Sequence, residues 1–194
     1  SLPTNWSIEN SDGDKTWEIT NTAGYNSTSS IYINNADYSA NGEYDDLISP
    51  TLDFSSSSSV NLLFDYAYSL WTDPSSAQVW SDTLIILISS DCGSTWQNIW
   101  EKTDQDLVTT TPIYNEFSWT PSSNNDWSSE VINLDNYITQ DDILVKFRNV
   151  NQYENNLYLD NINIQNILTS NPEEITIEYI IYPNPTNNLI NIEI

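Results

Sequence analysis

The stretch from Ile143 to Ile164 constrains the fold most. Two runs, Ile143-Leu144-Val145-Lys146-Phe147-Arg148 and Leu157-Tyr158-Leu159-Asp160-Asn161-Ile162-Asn163-Ile164, alternate apolar and polar side chains around a loop rich in Asn and Gln. A period of two puts successive side chains on opposite faces, so each run reads as a strand of a half-buried sheet. Two residues break the pattern. Arg148 is one of only four basic residues in the chain. Asp160 sits inside a strand, where aspartate is depleted, and so needs a partner.

The same signal recurs along the chain. Thr16 to Thr20, Ser30 to Ile33, Val60 to Tyr68, Thr83 to Ser89, Gln97 to Lys102 and Trp127 to Leu134 read as strands. Val60 to Tyr68, with an apolar middle, reads as a central strand of a sandwich. Leu2 to Trp6 reads as an extended lead-in, Asn10 to Asp14 as a turn, and Asn41 to Asp46 as an acidic turn. Ser69 to Ser81 reads as a long loop carrying Trp71 and Trp80 around Pro74, and Thr103 to Asn125 as a polar segment anchored by Phe117 and Trp119. Ser89 to Trp96 has the Ser-x-Asp-x-Gly-x-Thr-Trp spacing of an Asp-box. There the carboxylate takes the turn's own donors, and Gly93 adopts a conformation that a Cβ would forbid. With 4 Gly, abundant Ser, Thr, Asn, Tyr and Trp, and no long amphipathic period, the chain is expected to be all-β.

Charge narrows the function classes. Four basic against 28 acidic residues give a formal charge of −24 in 194 residues. A phosphate backbone or an anionic membrane surface would be repelled. Such self-repulsion suits an extracellular setting and would be relieved by divalent cations. The chain has no His, which removes Ser-His-Asp and Cys-His pairs and His-based zinc sites. The lone Cys92 has no intrachain disulfide partner, and no run approaches the ~20 apolar residues of a membrane-spanning helix. Ser1 is an abrupt start, consistent with a leader or larger N-terminal portion having been removed.

Four segments also carry a resemblance: "LPTNW…DGDKTW", "DDLISPTLDFS", "WSSEVINLDNY" and "KFRN…NNLYLDNINI". Together they resemble the MAM-like jelly-roll domains of the choice-of-anchor J and cleaved-adhesin type. Those domains occur in secreted Bacteroidetes proteins, metallopeptidases and gingipains among them. The resemblance implies a jelly-roll β-sandwich over residues 1–166. It also implies a structural calcium held partly by Asp160, which matches the family's last-strand Asp; the acidic residue that often completes that site, upstream of the Leu-Pro, is not in this chain. Residues 167–178 then read as a linker. Residues 179–194, with "YPNP" at Tyr182 to Pro185, resemble the opening of a type IX secretion (Por) C-terminal sorting domain, here a short and incomplete β appendage.

The candidate metal ligands are Asp160, Asp12, Asp14, Asp45 and Asp46, hard oxygen donors of the kind calcium takes. The alternative is that Asp12 and Asp14 cap a solvated turn and that Asp160 pairs with Arg148 or Lys146. No EF-hand is expected, because the required Glu does not follow Asp12-Gly13-Asp14. Trp71, Trp80 and Arg148 are the candidate ligand-binding residues, with an ion pair from Arg148 to Asp65 or Asp82 as its structural alternative. No catalytic residue is singled out, since nothing specifies a cleft for a carboxylate pair. The expected function is a non-catalytic, calcium-stabilised accessory or adhesion module of a larger secreted or cell-surface protein, such as a metallopeptidase, that binds protein or surfaces. The alternative is a carbohydrate-binding module of a polysaccharide-degrading enzyme, with Trp71 and Trp80 as its stacking platform.

Overall fold

The structure is a computed structural model that describes residues 2–72, 80–168 and 177–182. Among the described residues eleven strands run in chain order: β1 Ser7–Asn10, β2 Glu18–Thr20, β3 Ser30–Ile33, β4 Tyr44–Ile48, β5 Ser57–Ala67, β6 Thr83–Ser89, β7 Gln97–Thr103, β8 Ser128–Asn133, β9 Leu144–Val150, β10 Leu157–Leu168 and β11 Ile177–Tyr182. One sheet has the order β1-β4-β9-β6-β7. The other has the order β2-β3-β10-β5-β8, with β11 also paired to β10. Every strand pairing is antiparallel. The protein is an all-β sandwich, as the alternation predicts.

Each alternating strand sends one face inward. Leu84, Ile86 and Ile88 of β6, Val145 and Phe147 of β9, Leu62 and Phe64 of β5, and Leu157 and Leu159 of β10 are buried in one cluster. Phe64 meets Phe147 edge-on at 5.4 Å and Trp100 at 5.5 Å. Burying one such ring is worth roughly 1.5–3 kcal/mol. The outer face of the second sheet is covered as well. Ala67, Tyr158, Trp119, Trp127 and Ala23 form a smaller buried cluster there, so Trp119 and Trp127 are structural.

The structure corrects the sequence at β1 and β4. Ser7 to Asn10 pairs along Asp45 to Ile48, and Asp45 and Asp46 lie in a strand, both fully buried, rather than in an acidic turn. Acidic residues are depleted in strands, so the local composition concealed this one. The strand is tolerated because alternation separates the two carboxylates. Asp45 shares the inner face with Leu47, while Asp46 turns outward to the basic side chains of β9.

At the C-terminal side, β10 runs through Leu168, and Ile177–Tyr182 returns along Ile162 to Ile167. Residues 169–176 of the expected linker, and residues 183–194 with the rest of the "YPNP" motif, lie outside the described residues.

Candidate functional site

Three loops meet at one end of the sandwich and present aromatic rings to solvent. Trp71 follows β5, Phe117 lies between β7 and β8, and Tyr153 lies between β9 and β10. Trp71 and Phe117 have ring centroids 4.8 Å apart, and Phe117 and Tyr153 5.8 Å. All three stay about 40% exposed, at 45%, 39% and 40%. Tyr114 and Ile113 are exposed on the same loop as Phe117. The rings are mutually tilted by 57° and 63°, so they form a knobbed cluster rather than a flat platform. Trp80 is also exposed, but among the described residues it joins no ring pair.

The patch stands on buried polar chemistry. Glu154 has no exposed surface, yet its carboxylate accepts the Trp71 N–H at 2.6 Å, the Thr72 N–H at 3.1 Å and the Thr72 hydroxyl. The Leu70 N–H donates to the Ile113 carbonyl at 3.1 Å, and the Asn115 N–H donates to the Leu70 carbonyl at 2.8 Å. Asn115 Nδ2 donates to the Ser69 hydroxyl at 2.8 Å. Asp82 is likewise fully buried and accepts the Gln152 N–H at 2.6 Å and the Tyr68 hydroxyl at 3.2 Å. Burial, reinforced by the nearby Glu154 charge against these hydrogen bonds, pushes the Asp82 carboxyl up to about 7. Tyr153 holds φ at +61°, a conformation that costs a bulky residue about 1–3 kcal/mol and persists only where its surroundings impose it.

The expected acidic set does not converge on one point. Asp160 faces outward on β10 opposite Asp65 of β5. Its Oδ2 accepts the Tyr25 N–H at 2.8 Å and the Ser27 hydroxyl at 3.3 Å, and its Oδ1 accepts the Asn161 N–H at 2.8 Å. Asn161 sits at a bulge with φ +48° and donates through Nδ2 to Asp65 at 2.7 Å. Burial pushes the Asp160 carboxyl up to about 6. Its protein partners are thus backbone and hydroxyl donors, not the basic side chains considered from the sequence.

Arg148 pairs with Asp46 rather than with Asp65 or Asp82. Its Nε and Nη2 meet the two carboxylate oxygens at 2.7 and 2.8 Å. Lys146 Nζ reaches the same carboxylate at 2.7 Å and Glu9 at 3.1 Å. Tyr44 covers Arg148 at 3.9 Å, and Trp96 covers Lys146 at 4.2 Å. A depression of about 600 Å³ beside Trp96, lined also by Glu9, Pro50 and Leu144, therefore presents an aromatic ring that already holds a cation.

Asp12 and Asp14 lie in the turn after β1. There Asn10 Oδ1 accepts the Gly13 N–H at 2.7 Å, and Asp12 Oδ1 accepts the Asp14 N–H at 3.1 Å. The Tyr38 hydroxyl donates to Asp12 Oδ2 at 2.8 Å. Asp45 lies beside this turn. Burial, opposed by the Thr16 and Tyr38 hydroxyls and aided by the Asp12 and Asp46 charges, raises its carboxyl to about 6. Asp14 is exposed and does not join it.

Sequence reasoning missed Tyr153 and Glu154 and took Phe117 as an internal anchor. The signal was present: an aromatic-acid pair inside an otherwise amide-rich loop. Its meaning depended on which loops came together.

No protein-family model matches the chain, and no curated protein sequence matches it. Solved structures do resemble it. The K1 cleaved adhesin domain of Lys-gingipain from Porphyromonas gingivalis W83 aligns over 84% of this chain and 91% of that domain, at 21% identity and a TM-score of 0.55. The K3 cleaved adhesin domain of the same protein aligns over 84% and 91%, at 19% identity and a TM-score of 0.56. The K2 domain aligns over 82% and 89%, at 16% identity and a TM-score of 0.52. At these identities the likeness is one of fold: the chain has the β-sandwich architecture of the cleaved adhesin domains.

Proposed function

We propose that the chain is a non-catalytic binding module that docks a protein partner through Trp71, Phe117 and Tyr153. The observation that carries this reading is the exposed ring cluster fixed from below by the buried Glu154 carboxylate. Exposed aromatics held rigidly lose little entropy on binding, which is how docking hot spots work. The tilted rings favour apolar side chains inserted between them over a sugar ring laid flat. Glu116 is exposed beside Phe117, and the chain carries −24, so the partner would present apolar side chains flanked by basic ones.

The wider reading follows the sequence resemblance. The module would be a MAM-like, choice-of-anchor J domain of a larger secreted or cell-surface protein, with a metallopeptidase as one candidate parent. Residues 179–194 would open a type IX sorting domain. Among the described residues no helix is long and apolar enough to cross a membrane. A structural calcium belongs to this reading, supported by the acidic excess and by the buried Asp45 carboxylate, which has no donor in close hydrogen-bond geometry.

The test is to pan a random peptide library against the intact chain and rescreen the hits on Trp71→Ala and Phe117→Ala variants. Apolar-basic hits that lose binding on both variants support the reading. Hits indifferent to both changes overturn the patch. The carbohydrate-binding alternative rests on the exposure of Trp71 and Trp80. A glycan array showing binding lost in Trp71→Ala, with no peptide hits, would favour it.

A further inference from the structure

Asp82 and Glu154 have no exposed surface, and both hold the loops that carry the ring cluster. The Glu154 charge acts on Asp82, and both charges act on the buried Tyr68. Two carboxylates out of water at one place disfavour double ionisation unless a cation joins them. No basic side chain does. The four basic residues are paired elsewhere: Lys15 with Asp37, Lys102 with Glu130, Lys146 with Asp46 and Glu9, and Arg148 with Asp46. A proton can relieve the pair instead.

The two acids are unequally supplied with donors. Glu154 accepts both backbone N–H groups and the hydroxyl of Trp71 and Thr72. Asp82 accepts the Gln152 N–H at 2.6 Å and, more loosely, the Tyr68 hydroxyl at 3.2 Å, and the Asn35 side chain also faces it. The titratable groups facing it are Tyr68, just after β5, and Glu154, in the β9–β10 loop. The segment tied to both acids is short. Asn151 and Asn155 are buried and pin its ends: Asn151 Nδ2 donates to the Tyr38 carbonyl at 2.7 Å, and Asn155 Oδ1 accepts the Trp119 N–H at 2.9 Å. Only Gln152, Tyr153 and Glu154 lie between the pins. Gln152 is half-exposed, so lifting this segment brings water to Asp82.

Resting on the reading that the ring cluster docks a partner, we infer that Asp82 is a proton latch for that cluster. Protonated, it lets the segment of Gln152, Tyr153 and Glu154 close and sets Tyr153 beside Phe117. Ionised, it favours the lifted, hydrated segment and withdraws Tyr153. The sign follows from burial. A charged carboxylate is the stronger acceptor for the Gln152 N–H, but burial penalises the charge more and pushes the carboxyl up to about 7. The closed segment therefore holds the proton more tightly than the lifted one. The proton's help to closure is fully present below about pH 4, the ordinary value of a hydrated aspartate. Above that it shrinks by at most about tenfold per pH unit, and it is gone once pH has passed about 7.

The test reads amide-exchange protection at Gln152 and Tyr153 by NMR on the intact chain, in chelator, from about pH 5 to 8, with the intrinsic pH dependence of exchange divided out. Protection in the parent should fall about ten- to hundredfold between pH 5 and 7 and then level off. Asp82→Asn should keep protection high and independent of pH. Tyr68→Phe removes a donor to the charged form, so levelling should move to higher pH; this variant decides the matter if Asp82→Asn does not fold. Flat protection in the parent, the same fall in Asp82→Asn, or no movement in Tyr68→Phe would overturn the latch. Histidine-free, N-acetylated peptides from the panning above should bind the parent at least about fivefold more tightly at pH 5.5 than at pH 7.5, and Asp82→Asn equally at both. Peptides that bind the parent equally at both values, yet lose binding in Trp71→Ala, overturn the latch and leave the docking reading standing. Peptides indifferent to Trp71→Ala overturn the docking reading, and with it the control inferred here.

Discussion

Glu154 and Asp45 are both carboxylates without exposed surface, at different places in the sandwich, and they are solved in opposite ways. Glu154 accepts two backbone N–H groups and a hydroxyl from Trp71 and Thr72. Asp45 has no donor within close hydrogen-bond geometry, and only the Thr16 and Tyr38 hydroxyls face it. A buried charge surrounded by donors rigidifies what the donors belong to, here the loop that carries Trp71. A buried charge without donors is stable only when protonated or met by an ion. Burial depth alone therefore says little about a carboxylate's role; the number of donors aimed at it decides.

The largest expected effect tests a third buried carboxylate, the outward-facing neighbour of Asp45. Asp46→Ala leaves Arg148 and the buried Lys146 without their shared partner. Breaking a buried pair from one side costs about 3–5 kcal/mol, and urea unfolding of the variant should show a loss of that order. A loss below about 1 kcal/mol would mean that the pair is solvated like a surface bridge.

Next comes the direct contrast. Glu154→Gln should cost about 1.5–3 kcal/mol, because charge-assisted bonds to Trp71 and Thr72 are weakened and an amide donor is turned toward donors. It should also weaken partner binding through Trp71. Asp45→Asn in chelator at neutral pH should be neutral or stabilising. Equal losses in the two variants would erase the distinction between them.

The pH dependence sharpens the same contrast. Asp45 and Asp160 are raised to about 6 and Asp82 to about 7, against an ordinary aspartate value of about 4. A carboxyl raised in the folded state binds more protons there than in the unfolded chain between those values. Its contribution is then fully present below about pH 4 and lost as pH rises through 6 to 7. In chelator, the melting temperature should therefore rise as pH falls from 8 to 5. Asp45→Asn should remove the Asp45 share of that rise. A melting temperature falling over the same range would contradict the raised values, because carboxylates with lowered values, such as Asp91 and Asp135, lose their contribution only as pH falls through about 4 and below.

The smallest effect on stability belongs to the patch itself. Trp71→Ala removes a ring 45% exposed, and its unfolding midpoint should move by about 0.5 kcal/mol or less. Its effect on partner binding should be far larger, about 2 kcal/mol or more for a hot spot. A large stability loss would make Trp71 a packing residue instead.

The alternation in β6, β9 and β10 was legible because a period of two is a local property of the chain. The Asp-box was equally local. Asp91 accepts the Thr95 N–H at 2.8 Å and the Thr95 and Ser89 hydroxyls at 2.7 Å each, and Gly93 holds φ at +85°. β4 was not legible, because its acidic residues disguise a strand whose charges are answered from β9, about a hundred positions away. The aromatic patch was half legible. Trp71 stands out in a polar loop, but Phe117 and Tyr153 join it only when three distant loops meet.

The sequence by itself determined the all-β class, the acidic character that opposes charge-driven binding to nucleic acid and anionic membranes, and the positions of most strands. Those follow from periodicity and composition, which need no partner. Tertiary structure alone decided which carboxylate met a basic side chain, which met backbone donors and which faced only hydroxyls. That outcome depends on donors brought from other strands and loops, and a neighbour in sequence carries no information about them: Asp45 and Asp46 differ by one position and face opposite sides of the same strand.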